Sequence, residues 1–301
     1  MKKTNFVKNN YFRLILIEIF ELFRDLLYPK KIVTKVQKVQ NYVLVKRIDT
    51  HKKSRDFVIG KYKRNKRYFF IKSWQGKIKD FAYFNIINEY NVSQILNKYA
   101  VDKSITVLNP EDLVEEKNRL SLIYKFIDGK KLSTFDTKYQ VYVLKKVIKF
   151  IHQLSGKISK SDKQFFPRRD RLFYLLTFPL IVLNMLFKRP SNLLSTIIFF
   201  RKHWSRNFFK DTNLYLNHGD LHPNNILISG RKIYLLDCED MMFSLNNYDL
   251  CHLIIYNDTK YLLKELIKNS RLTDSFIMIY LGFKSLLNNS SNIMEVLIEY
   301  V

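Results

Sequence analysis

The side chains best suited to chemistry cluster in one stretch of the chain. His218-Gly219-Asp220-Leu221-His222-Pro223-Asn224-Asn225-Ile226 is followed by Tyr234-Leu235-Leu236-Asp237. Between them lie a turn signal, Ser229-Gly230-Arg231, and an apolar strand, Ile233–Leu236, that ends in a carboxylate. Two carboxylates and an amide brought together by a short hairpin suit the movement of a phosphoryl group. That reaction needs little covalent help; it needs an aligned hydroxyl and neutralisation of charge on the phosphates. Asp220 is the residue type that orients an acceptor hydroxyl and takes its proton. Asn225 offers an amide oxygen to a cation without adding charge, and Asp237 offers a carboxylate. Hard oxygen ligands in small number suit magnesium, with phosphate oxygens and water completing its shell. A zinc reading of His218, His222, Cys238, Cys251 and His252 is disfavoured by Pro223 and by the absence of paired cysteines.

HGDLHPNNIL followed by LLDCED resembles the catalytic and metal-binding loops of the aminoglycoside phosphotransferase and choline kinase group. Bacterial lipopolysaccharide core-sugar kinases (heptose and Kdo kinases) belong to the same wider protein-kinase-like fold. The resemblance covers about 218–252 strongly and 41–154 more loosely. It implies an α+β, two-lobed protein-kinase-like fold: a small antiparallel β-lobe with one helix, and a larger, mainly helical lobe. It also implies ATP and magnesium as cofactors. The family pattern asks for a lysine on the third strand and a glutamate on the next helix, which Lys72 and Glu89 fill. The resemblance has Lys72 hold the α- and β-phosphates and Glu89 position it, with Lys46 the runner-up lysine. Both could instead be ordinary solvated charges. The joint His51-Lys52-Lys53-Ser54-Arg55 departs from the pattern because it has no glycine, and Gly60 lies too late to serve. Lys53 and Ser54 are the candidates to meet the phosphates there in place of backbone N–H groups. Asp237-Cys238-Glu239-Asp240 stands where protein kinases carry D-F-G, and no A-P-E follows, so a small or glycan acceptor is favoured over a peptide. Asp249-Leu250 resembles the structural aspartate that opens the next helix in small-molecule kinases.

These residues need elements to position them. Residues 41–49, 56–63 and 68–74 are rich in Val, Ile, Tyr and Phe between short basic joints, which predicts a three-stranded antiparallel meander. A helix is expected from near Asp80, its N-cap, to Leu96. SLIYKF (121–126) reads as a strand stopped by Asp128-Gly129, and 139–154 resume a helical period on which His152 is a packing residue. Strand, turn and strand over 214–237 are followed by helices to the end. The domain organisation expected is 1–36, an amphipathic helix region; 37–126, the nucleotide-covering lobe; and 127–301, the catalytic lobe, with an apolar helical insertion at about 160–212.

Two segments leave two readings each. Residues 11–28 predict a helix with Arg13, Glu18, Glu21, Arg24 and Asp25 on one arc, either packed on the body of the protein or lying on a membrane surface. Leu172 to Phe187 carry no charge, fall short of the ~20 residues that span a bilayer, and contain Pro179. They fit a buried helical hairpin or a shallow membrane-dipping segment.

Fifty-two Lys and Arg against 27 Asp and Glu leave a net charge of +25, a field that attracts polyanions generally. Two cysteines without a CxxC pair point to a reducing cytoplasm, and Arg13 and Glu18 break the apolar run that a signal peptide would need. Aromatic residues fall at strand or helix spacing, and no RNP-, KH- or zinc-finger-type signature appears, so nucleic acid is disfavoured as a partner. The reading these features carry is a cytoplasmic kinase for a small-molecule or lipid-linked saccharide, plausible at the inner membrane face with a lipopolysaccharide core sugar as acceptor. The alternatives are a non-catalytic module for anionic lipid or nucleic acid, and a protein kinase.

Overall fold

The computed structural model of the chain describes residues 38–48, 57–76, 81–100, 104–188, 213–246 and 248–256, with isolated positions elsewhere. The expected helix at 11–28, the cap Asp80 and the joint at 51–55 lie outside the described residues, apart from single positions in the first. The chain divides into two compact units: Tyr28–Lys131 with Ile226–Asp240, and Met1–Leu27 with Leu132–Asn225 and Met241–Val301.

In the first unit, alternation drives the sheet. Strands β1 (Lys38–Val39), β2 (Tyr42–Arg47), β3 (Phe57–Arg64), β4 (Arg67–Gln75), β6 (Asp112–Glu116) and β7 (Arg119–Lys125) form an antiparallel sheet ordered β1-β2-β3-β4-β7-β6. The predicted meander is β2–β4, and SLIYKF lies in and just beyond β7. Because successive side chains point to opposite faces, Val58, Tyr62 and Ile71 pack on one face with Tyr42 and Ile123. Phe70, Trp74, Leu122 and Tyr124 pack on the other against Ala82, Tyr83 and Ile86 of helix α1 (Phe81–Tyr99). Lys72 lies two residues from Phe70 and from Trp74 and so shares the helix-facing side. A second sheet holds β5 (Ile105–Val107), β8 (Lys130–Lys131), β11 (Ile226–Ser229) and β12 (Lys232–Leu235), ordered β5-β12-β11-β8. Gly230, at φ +58°, makes the tight turn between β11 and β12. The hairpin thereby carries the chain back to Asp237.

The second unit is mainly helical. Asp136 caps α2 (Thr137–Lys157) by accepting from the Tyr139 N–H at 3.0 Å. Val143, Leu144, Val147, Phe150, Ile151 and Leu154 form its buried face. Its exposed positions include Lys138, Lys145, Lys149 and Gln153, the polar outer face expected of a soluble helix. A short α3 (Lys160–Lys163) and strand β9 (Arg168–Arg169) lead to α4 (Arg171–Lys188).

Two expectations are corrected here. The apolar segment 172–187 is one continuous helix rather than a hairpin, with Pro179 on its exposed side and the opposite side pinned by hydrogen bonds. The Thr177 hydroxyl donates to the Phe173 carbonyl at 2.8 Å, and the Tyr174 hydroxyl pairs with that of Ser244 at 2.6 Å. Among the described residues no helix is long and apolar enough to cross a membrane. The region after Asp237 is also not purely helical. Strand β13 (Met242–Ser244) pairs antiparallel with β10 (Tyr215–Asn217) and parallel with β9 before α5 (Tyr248–Tyr256) begins. Three residues are too few for a period to register in the sequence.

Candidate active site

In the sheet unit, Lys72 and Glu89 meet. Lys72 is 4% exposed and Glu89 3% exposed, and Lys72 Nζ donates to Glu89 Oε2 at 2.9 Å. The same ammonium donates to Asp237 Oδ1 and to Glu239 Oε2, each at 2.7 Å, and lies 4.4 Å from the centre of the Phe57 ring. Strand β4 presents the lysine, α1 presents Glu89, and the β11–β12 hairpin returns both other carboxylates. Lys46, the alternative lysine, is exposed on β2 at a register shift.

Burial alone would push the Lys72 ammonium down, but Asp237, Glu239 and Glu89 together raise its pKa well above the ordinary lysine value. Burial pushes the Glu89 and Glu239 carboxyls up, and Lys72 opposes it in both. Three carboxyl groups thus share one ammonium. Among the described residues, Glu89, Asp237 and Glu239 are the acidic group whose oxygens lie close enough together to share a metal ion. Lys72 already bridges all three. Asp237, with a side chain 41% exposed, is the member able to turn an oxygen toward a cation. Its backbone φ is +56°, a conformation that an L-residue holds only when the surroundings over-determine it.

Two residues here were missed by sequence reasoning. Glu239 was visible only as part of an acidic run, and the Asn88 amide donates to its backbone carbonyl at 2.5 Å. Tyr124 donates its hydroxyl to Glu89 Oε1 at 2.5 Å inside the core, so both Glu89 oxygens have partners. Its strand was legible; its partner, 35 residues away, was not.

The helical unit carries the Asp220 loop. Gly219 has φ +86°, which permits the turn that precedes Asp220. Buried Asp249, at the start of α5, accepts the backbone N–H groups of His218 at 2.7 Å and Gly219 at 2.9 Å. Burial raises the Asp249 carboxyl while His218 and these two N–H groups oppose the rise. Asn225 Nδ2 donates to Asp220 Oδ2 at 3.1 Å and to the Asp220 carbonyl at 3.0 Å. That fixes the amide so that Oδ1, an acceptor, is the atom suited to a cation.

Two histidines flank Asp220. His222 Nε2 lies 3.5 Å from Oδ2 and His252 Nε2 lies 3.8 Å from Oδ1. The Asn224 N–H donates to His222 Nδ1 at 3.1 Å, so the neutral ring carries its proton on Nε2, facing the carboxylate. Burial would raise the Asp220 carboxyl, but His222, His252 and His218 hold it below the ordinary aspartate value. His252 entered the sequence reading only as a disfavoured zinc ligand, and its place beside Asp220 was not foreseen. Cys238 and Cys251 are buried and form no disulfide, and the pKa of His152, half-buried against Tyr215, is lowered by burial. Lys53 and Ser54 lie outside the described residues.

In the sheet unit, then, Asp237 offers a partly exposed carboxylate and Lys72 an ammonium suited to phosphate. In the helical unit Asn225 offers an amide oxygen, and both oxygens are of the hard kind that suits a divalent cation.

Comparison with known proteins agrees with this chemistry. The thermostable mutant of aminoglycoside phosphotransferase APH(4)-Ia, apo form, matches with a TM-score of 0.59 at 9% identity, over 85% of this chain and 90% of that one. Spectinomycin phosphotransferase APH(9)-Ia, in complex with ADP and spectinomycin, gives 0.53 at 15% identity over 85% and 87%. The amicoumacin kinase hAmiN, in complex with AMP-PNP and Ca²⁺, gives 0.51 at 15% identity over 96% and 93%. At these identities the likeness establishes the kinase-like fold. No curated protein sequence matches this chain. The profile of the Phosphotransferase enzyme family matches residues 65–266, more than half of the chain. The chain therefore belongs to the Phosphotransferase enzyme family and is an enzyme that transfers phosphoryl groups.

Proposed function

We propose that this phosphotransferase moves the γ-phosphoryl group of ATP to a hydroxyl of a small-molecule or glycan acceptor, with magnesium as its cation. The observation that carries the reading is the pairing of Lys72 with Glu89 and Asp237 in one unit, together with Asp220 locked to Asn225 in the other. The nucleotides ADP and AMP-PNP in two solved neighbours support the donor. In this reading Lys72 exchanges its carboxylate partners for phosphate oxygens, and Glu89, tethered by Tyr124, keeps it in place. Asp220 accepts a hydrogen bond from the acceptor hydroxyl and takes its proton as the oxygen–phosphorus bond forms. The bond from the γ-phosphorus to the bridging oxygen breaks, and ADP leaves with that oxygen. Magnesium, when bound, neutralises charge on the phosphates, and Asn225 and Asp237 are the residues that would hold it. Lys53 and Ser54 cover the phosphates in place of glycine-borne N–H groups.

The acceptor we favour is a sugar of a lipid-linked glycan, such as a lipopolysaccharide core, met at the cytoplasmic face of a membrane. The net charge of +25 supports an anionic acceptor or surface. Mass spectrometry of cell-envelope glycans with and without the protein tests the acceptor. One sugar should lose a phosphate when the protein is absent. Unchanged glycans, with phosphate transferred in vitro to a soluble antibiotic instead, would replace the glycan by a soluble acceptor.

A further inference from the structure

Helix α4 carries apolar side chains on its exposed side as well as its buried one, where Phe173, Ile181 and Met185 lie. At about 100° per residue, Leu172, Leu176, Pro179, Leu183, Leu186 and Phe187 fall within an arc of roughly 100°, and all six are exposed. Leu172 is 55% and Phe187 71% exposed. The opposite arc is buried and contains the polar side chains: Tyr174 bonds to Ser244, and Thr177 pairs with the Tyr280 hydroxyl at 2.9 Å. Helix α2 of the same unit shows the ordinary arrangement, with its exposed lysines outward and its apolar residues inward. An apolar stripe this continuous, with no charge from Leu172 to Phe187, marks a surface that something covers.

Charge selects the occupant. Arg168, Arg169 and Arg171 lie at one end of the helix, and Lys188 and Arg189 follow the other in sequence. The Arg168 side chain is 66% exposed beside Asp170. An apolar face with cationic ends is the pattern of a helix lying in the plane of an anionic lipid surface, its basic side chains reaching headgroups. A second copy would set one chain of net charge +25 against another, which disfavours pairing. Among the described residues no helix, this one included, is long and apolar enough to cross a bilayer.

We infer that the Leu172–Leu176–Leu183–Phe187 face of α4 is the surface by which the enzyme lies on an anionic membrane. The inference rests on the proposed membrane placement of the acceptor and gives that placement its contact surface; it is independent of the phosphotransfer residues.

The test is co-sedimentation of the full chain with vesicles of phosphatidylcholine alone or with phosphatidylglycerol added. The parent should bind the anionic vesicles more tightly than the neutral ones. The double variants Leu176→Gln/Leu183→Gln and Leu172→Glu/Phe187→Glu should each lose about tenfold or more in affinity. Tyr142→Gln, on the exposed face of α2, should bind as the parent does. An unchanged thermal shift on adding AMP-PNP shows that the variants remain folded. If the parent binds and both double variants bind equally well, the α4 inference is wrong while the membrane reading stands. If the parent binds neither vesicle, both fail. If the parent instead self-associates without lipid and the variants do not, the face belongs to a second copy, and the inference is overturned.

Discussion

Around Lys72, three carboxylates share one buried ammonium, whereas around Asp220 a single carboxylate faces two imidazoles and an amide. The first group is held by full charges in the core, where removing one partner strands the others. The second is held by the Asn225 amide, by imidazoles that lower the Asp220 carboxyl, and by the backbone cradle from Asp249. In the reaction proposed above, the first group would be the anchor that stays cationic for the phosphates and the second the group that accepts a proton late.

The largest effect that breaks this contrast is expected from Lys72→Met. Three carboxylates would face one another without a counter-charge, at a cost of about 3–5 kcal/mol in unfolding free energy, read by urea denaturation. The sign with pH is set by the raised lysine pKa. The stability Lys72 contributes is fully present below its unfolded value of 10.5 and is lost as pH rises through the higher folded value. A loss well under 1 kcal/mol would show that the carboxylates do not depend on Lys72.

Tyr124→Phe should cost less, about 1–3 kcal/mol, because Glu89 loses one of two partners while its bond to Lys72 remains. The same variant should weaken nucleotide binding if Glu89 positions Lys72, whereas a purely structural tyrosine would leave AMP-PNP affinity at the parent value.

His222→Gln probes the other group and should change stability least. Removing the imidazole takes away the main neighbour that lowers the Asp220 carboxyl, so its pKa should rise. The acid limb of the kcat/KM profile should then move toward neutral pH. With a folded pKa below 3.8, Asp220 contributes stability that is present above that pH and is lost as pH falls through the depressed value. An unmoved acid limb would remove His222 from the account of Asp220.

Much of this arrangement is legible in the sequence because it is local or periodic. The alternation through Phe57–Arg64 and Arg67–Gln75 marks two neighbouring strands, Gly230 marks the turn between β11 and β12, and Asp220 to Asn225 spans one loop. Lys72 and Glu89, 17 residues apart, were pointed to by the family resemblance together with their strand and helix context. What escaped is brought in from afar. Glu239 reaches Lys72 across 167 residues, and His252 reaches Asp220 only because α5 returns its third residue past Asp249 to that loop. Of the two readings left open for 172–187, the hairpin does not form, although a proline ordinarily breaks a helix. Here the helix runs on through it, with Pro179 on the exposed side.

Turnover of ATP-Mg²⁺ with an accepted hydroxyl substrate, compared among the parent, Asp220→Ala and Asp237→Ala, tests the central claim most directly. Each variant should keep the parent's fold by circular dichroism and lose about 10²–10⁴-fold in kcat. Two folded variants that turn over at the parent's rate would contradict it.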